Sequence, residues 1–209
     1  MGKNKIARFE ENKKLPNVIQ PTREEALGGF QLKGNWREKV FRNNNPIVLE
    51  LGCGKGEYTV GMAKAFPDKN FIGVDIKGAR FWFGAKEAIE NNLNNAAFLR
   101  TQIELIDCFF AENEVDEIWI TFPDPQIKLR RGKHRLTHPA FLDRYKKIIK
   151  PDGLIHLKTD SEFLHGYTLG ILQGFGHEIL TAHHDIYGAP EYIPDTLYLR
   201  EIKTYYEGL

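Results

Sequence analysis

Two hydrophobic registers alternate along the chain. Short, nearly unbroken apolar runs recur at Ile47–Leu51, Asn70–Asp75, Ala96–Thr101, Val115–Phe122 and Leu154–Thr159. Runs of that kind, bounded by turn residues, predict strands buried on both faces. Between them the spacing turns helical, from Glu57 to about Phe66, from Gly78 to about Leu93, and over Ile103–Phe110. Thr137-His138-Pro139 predicts a helix start, with Thr137 as cap and proline in the first turn, running to about Ile149. Pro151-Asp152-Gly153 predicts a turn, and Ser161 a cap for a helix through Leu172. Two further strands, near Glu178–His184 and Tyr198–Tyr206, are expected to close the sheet. The alternation predicts an α/β protein, with a seven-stranded, mostly parallel sheet and helices on both faces. Residues 1–45 lack such periodicity. Their Lys13-Lys14-Leu15-Pro16 and Gln20-Pro21-Thr22 stretches predict an extended or flexible arm before a domain over 46–209.

Composition changes this picture little. A chain of 209 residues is long enough for one sizeable core. Its two cysteines, Cys53 and Cys108, form no disulfide framework, and a reduced interior is expected. No apolar run approaches the roughly 20 residues of a membrane helix. The first residues have no apolar segment of the signal-peptide kind and lack the serine or threonine of a myristoylation site. A cytoplasmic protein is expected.

Charge changes it more. The net charge of +1 hides strong blocks. Residues 126–150 hold nine Lys+Arg against one Asp+Glu, and residues 1–45 hold ten against five. Two basic blocks around an acidic middle read either as ordinary solvated surface or as a docking surface for a polyanion such as nucleic acid.

The candidate chemistry gathers where strands end. Ligands of open parallel sheets bind beyond the carboxyl ends of the strands. Glu50, Asp75, Gln102 and Asp124 end the first four predicted strands. Directly after the first comes Gly52-Cys53-Gly54-Lys55-Gly56, and then a helix. Glycines there allow a tight turn and close approach of a ligand to backbone. A dinucleotide site prefers Gly-x-Gly-x-x-Gly, with pyrophosphate on the helix N-terminus. Here the spacing differs, and Glu50 would oppose a phosphate. It suits instead a cationic cofactor end, such as the ammonium and sulfonium of S-adenosylmethionine. Asp75 suits paired ribose hydroxyls, and Gln102 can hydrogen-bond an adenine amine. The glycine pattern with its preceding glutamate resembles that of class I methyltransferases.

The fourth strand sharpens the resemblance. Phe122-Pro123-Asp124-Pro125-Gln126-Ile127-Lys128, followed by Arg130-Arg131-Gly132-Lys133-His134-Arg135-Leu136-Thr137, resembles the signature of bacterial tRNA (guanine-N7)-methyltransferases. Lys158-Thr159-Asp160 and Thr204-Tyr205-Tyr206-Glu207 resemble two later motifs of that family, in the family's order. Gln126-Ile127 stands where the family carries Trp-Pro, and Gln102 where it usually carries an acid. The resemblance implies a Rossmann-like class I methyltransferase fold, S-adenosylmethionine as cofactor and tRNA as partner, in a monomer or homodimer without metal. It implies that Glu50, Gly52, Gly54, Gly56, Asp75, Gln102 and Asp124 hold the cofactor. It also implies that Lys128, Asp160, Thr204, Tyr205, Tyr206 and Glu207 belong to the substrate site, and it names a variable-loop guanine as target.

Guanine N7 offers a lone pair and carries no proton at neutral pH. Methyl transfer to it needs no obligatory base, so alignment and electrostatics are the enzyme's main tasks. Asp124 is the first candidate for the carboxylate beside the acceptor, and Asp160 the second. Lys128, Arg130, Arg131, Lys133 and Arg135 are expected on tRNA phosphates. Two other readings fit the same fold: a different nucleobase methyltransferase, and a non-catalytic RNA-binding protein.

Overall fold

In the computed structural model, residues 3–185 are described. The core of the sheet is β2 (Ile47–Leu51), β3 (Asn70–Val74), β4 (Ala96–Leu99), β5 (Val115–Thr121) and β6 (Ile149–Lys158). All neighbours pair in parallel. β2, β3 and β4 are buried at every position, as helices on both faces require. The helices between them are α3 (Glu57–Ala65), α4 (Gly78–Glu90), α5 (Ile106–Phe109) and α6 (Pro139–Lys146), with α7 (Glu162–Gly174) after β6.

Alternation along β2 sorts its side chains. Ile47, Leu49 and Leu51 join the cluster around Trp36, Phe109 and Tyr145, while Val48 joins the opposite one around Tyr58, Phe81 and Trp119. Glu50 has the parity of Val48 and so lies beneath α3. Gly73 on β3 permits this packing: a Cβ there would stand 2.6 Å from Thr59 Oγ1 and 2.9 Å from the Phe98 ring.

Among the described residues the sheet has six strands rather than seven, in the order β1-β4-β3-β2-β5-β6. The sixth is β1 (Val18–Ile19), which pairs with Phe98 and Leu99 of β4 and comes from the segment expected to be an arm. Glu178–His184 forms no strand: it is largely exposed and pairs with none of the described strands. The strand expected near Tyr198–Tyr206 lies outside the described residues.

The N-terminal segment departs most from expectation. It forms α1 (Lys3–Asn12), β1 and α2 (Arg23–Gly28), then a π-helical turn over Arg37–Phe41. α1 lies on α4. The Arg8 guanidinium sits 4.4 Å from the Phe83 ring centre and 5.1 Å from that of Trp82, and Asn12 Nδ2 donates to the Gly78 carbonyl at 2.9 Å. Trp36 is wholly buried, stacked on Phe110, with its indole N–H donating to Phe109 O at 2.9 Å. A large ring is therefore packed and its polar edge satisfied. Thr22 caps α2 in a reciprocal capping box with Glu25.

Three local expectations shift. The cap of α6 is His138, whose Nδ1 accepts from the Ala140 amide, because the Thr137 hydroxyl is turned to that of Thr168 at 2.8 Å. The basic loop contains a 3-10 helix over Leu129–His134. Pro151-Asp152-Gly153 lies within β6, opposite an irregularity in β5 between Val115 and Glu117.

Candidate active site

The sheet order reverses at β2, which lies between β3 and β5. Crevices form at such a point, beyond the carboxyl ends of the strands. A cleft of about 480 Å³ opens there. It is lined by Gly52 after β2, Asp75 and Ile76 after β3, Gln102 and Ile103 after β4, and Gln126 after β5. Arg131 and His134 of the basic loop and Leu136 and Phe141 beyond it also line the cleft.

The glycine turn is built on left-handed backbone, with φ of +80° at Gly52, +58° at Gly54 and +85° at Gly56. Only Gly52 of the three faces the cleft. Gly56 serves packing: a Cβ there would meet Phe98 at 2.7 Å and the Gly84 Cα at 3.2 Å. The Gly54 amide donates to Asp75 Oδ2 at 3.1 Å, and the Lys77 amide to Asp75 Oδ1 at 2.7 Å. Each Asp75 oxygen keeps a further acceptor site, so the carboxylate is fixed yet able to receive a diol. Ile76 and Ile103 add apolar surface beside it, and Gln102 is exposed at the same wall. This donor and acceptor set fits an adenosine: an acid for ribose, an amide for the base edge, apolar side chains beside the ring.

Glu50 does not join them. It is 3% exposed. Its Oε1 accepts from the Thr121 hydroxyl at 2.6 Å, and its Oε2 accepts from the Thr59 amide at 2.8 Å and from the Thr59 hydroxyl. The carboxylate expected at a cofactor's cationic end is instead held under the turn by three protein donors. Burial outweighs those donors and pushes its pKa up to about 7. Burial, with Glu50 and Asp75 nearby, also pushes the Cys53 thiol up, which keeps it inert.

After β5 the chain bends sharply. Phe122 and Gln126 both adopt left-handed backbone, with φ of +45° and +47°. Such conformations carry strain in residues with a Cβ and persist where surroundings impose them. Between them Asp124 is exposed, with its Oδ1 accepting from the Gln126 amide at 3.0 Å. Asp160 is exposed after β6, next to Ser161, whose hydroxyl caps α7 by accepting from Leu164 N at 3.2 Å. Lys158 is buried, with Nζ 2.5 Å from the Tyr58 hydroxyl and 5.2 Å from the Phe122 ring centre.

The basic residues divide. Lys128, Arg130, Arg131 and Lys133 are exposed, as is Leu129 among them at 92%. Arg135, expected on phosphates with the others, is only 6% exposed. Its Nη2 donates to Gln126 O at 3.0 Å and its Nε to Pro125 O at 3.3 Å. A guanidinium committed to two carbonyls and closed from solvent is not positioned to meet a polyanion. Thr204, Tyr205, Tyr206 and Glu207 lie outside the described residues. His134, Leu136 and Phe141 line the cleft without having been singled out. Their signal was their place in or beside the basic run after Asp124.

Known proteins resemble this chain closely. A family model described as "Putative methyltransferase" matches residues 44–206. The tRNA (guanine-N(7)-)-methyltransferase of Christiangramia forsetii is 66% identical over 99% of this chain and 92% of its own length. That of Porphyromonas gingivalis is 55% identical over 92% and 78%, and that of Clostridium novyi 41% identical over 76% and 74%. Among solved structures, one titled "Structure of an Antibiotic Related Methyltransferase" superposes with a TM-score of 0.58 at 14% identity, covering 93% of this chain and 90% of its own. The aminoglycoside resistance methyltransferase NpmB1 superposes with a TM-score of 0.52 at 19% identity, covering 83% and 80%. At those identities the two structures share the fold.

Proposed function

The chain belongs to the tRNA (guanine-N(7)-)-methyltransferase family, whose reaction is methyl transfer to N7 of a guanine in tRNA, and from that premise we propose its methyl donor, its target and the residues that serve each. The donor is S-adenosylmethionine, held in the cleft. Asp75 receives the ribose hydroxyls and Gln102 the adenine amine, with Ile76 and Ile103 against the ring. Gly52 lets the donor's amino-acid end approach the backbone, and Gly54 and Gly56 hold the turn in shape. When bound, the cofactor supplies a methyl group activated on a sulfonium.

The remaining work falls to the chain's own side chains. Asp124 places a carboxylate where the purine gains positive charge, and it and Asp160 accept from guanine N1–H or the 2-amino group. Lys128, Arg130, Arg131 and Lys133 hold tRNA phosphates, with Thr204 to Glu207 completing the substrate site. The target is the variable-loop guanine, and the setting is cytoplasmic. Among the described residues no helix is long and apolar enough to cross a membrane.

The observation that carries this assignment is one cleft with Asp75 and Gln102 on one side and Arg131 and His134 on the other. A cofactor wall and a basic loop thus share a single opening. Tritiated methyl transfer from S-adenosylmethionine to unmodified tRNA, followed by nucleoside analysis, tests it. Label is expected in 7-methylguanosine of the variable loop. Label in another base, or at a guanine elsewhere, refutes the assignment.

A further inference from the structure

Arg135 stands at the junction of the two segments that carry the exposed acids. On one side it donates to Pro125 O and Gln126 O. These are the residues directly after Asp124, and the Gln126 amide in turn donates to Asp124 Oδ1. On the other side its guanidinium carbon lies 4.3 Å from the Tyr167 ring centre and 4.8 Å from that of Phe163. Both rings belong to α7, which starts at Glu162, two residues after Asp160. Gly132 leaves room for the guanidinium, since a Cβ there would stand 3.3 Å from Nη1.

From this geometry we infer that Arg135 is a positioning residue: it fixes the strained Asp124 loop against α7 and so sets the Asp124 carboxylate relative to Asp160. The physical reason lies in the backbone. Left-handed Gln126 is unfavourable on its own and must be held from outside. Two hydrogen bonds from a planar fork hold consecutive carbonyls in one orientation, and aromatic faces hold the fork. A lysine keeps the charge but not the fork. The assignment rests on the proposed role of Asp124, and it sets Arg135 apart from the exposed cations of the same loop.

The test uses the full chain and unmodified tRNA. In Arg135→Lys, kcat at saturating tRNA and S-adenosylmethionine is expected to fall at least tenfold. The KM for tRNA, its slope against salt on logarithmic axes, and the cofactor Kd by calorimetry stay within twofold of wild type. Arg130→Ala, a phosphate-contact control, is expected to lower the salt slope by about one. A matching loss of slope in Arg135→Ala makes Arg135 a phosphate contact and overturns the inference, as does kcat within twofold of wild type in Arg135→Lys. Amide exchange over residues 122–126, read by mass spectrometry, is expected to quicken at least tenfold in Arg135→Lys. Unchanged exchange overturns the clamp whatever base is methylated, so this arm stands apart from the functional reading. If Arg135→Lys fails to fold, Tyr167→Leu removes one aromatic face. It is expected to lower kcat and quicken the same exchange at least threefold, and wild-type values there overturn the inference.

Discussion

The Thr121 hydroxyl donates to Glu50 Oε1 at 2.6 Å across the β2–β5 pairing. Thr121 is the last residue of β5, and the strained bend at Phe122 begins directly after it. The buried carboxylate therefore ties the glycine turn, through Thr59 on α3, to the strand that leads into the Asp124 loop.

That position sets a pH dependence of stability. Folded Glu50 titrates near 7, while the unfolded chain's carboxyl titrates near its usual 4.5. Between those values the folded state binds the extra proton, so stability falls as pH rises from about 4.5 to about 7. The cost of the buried charge is fully present above that window. It amounts to about 3 kcal/mol. Glu50→Gln cannot ionise and lacks it. Thermal unfolding of both proteins at pH 5 and pH 8 checks this. About 2.5 kcal/mol of that cost develops between the two pH values, so the Tm of the variant relative to wild type should rise by roughly 5–10 °C. Parallel shifts would mean that Glu50 ionises like an exposed acid.

Asp124→Ala removes the proposed acceptor-side carboxylate from an exposed site. Turnover should fall by about a hundredfold or more, in line with loss of an electrostatic partner at a reacting centre. The melting temperature and cofactor affinity should change little. Single-turnover methylation beside calorimetry separates the two effects, and near-normal turnover would remove Asp124 from the role.

Gly56→Ala should cost about 3 kcal/mol, from a left-handed φ of +85° together with a Cβ 2.7 Å from the Phe98 ring. Urea unfolding reads this directly. A neutral outcome would show that α3 and α4 can part enough to admit a methyl group.

Trp36→Ala should destabilise the whole domain by about 3–5 kcal/mol, because the ring is wholly buried and its N–H is paired. The unfolding transition should remain single. A separate early transition, leaving the sheet intact, would restore the picture of an independent arm.

What could be read from the sequence depended on how local the cause was. The five core strands and the helices after them follow from unbroken apolar runs and helical spacing, and Ser161 announced the start of α7. Gly52, Asp75 and Gln102 share a rim because they follow strand ends, which is a topological rule. Glu50 also follows that rule by position, yet its parity with Val48 sends it under α3. Two threonines, 9 and 71 residues away, then complete its shell. Arg135 looks like its neighbours in the basic run. Only the folding of α7 beside it shows that its partners are carbonyls and rings. The N-terminal helix was hidden for the same reason. It holds few apolar residues, and its anchors are Trp82, Phe83 and Gly78, some seventy residues on.

The two residues of β1 have one more effect. By pairing with Phe98 and Leu99 they cover the outer margin of β4, a strand whose apolar run would otherwise present open N–H and C=O groups to other chains. A margin left open in that way is a template for association between molecules. The N-terminal segment thus acts as a guard against aggregation. A chain shortened past Ile19 should precipitate at concentrations where the intact protein stays dispersed, even where its remaining core still folds.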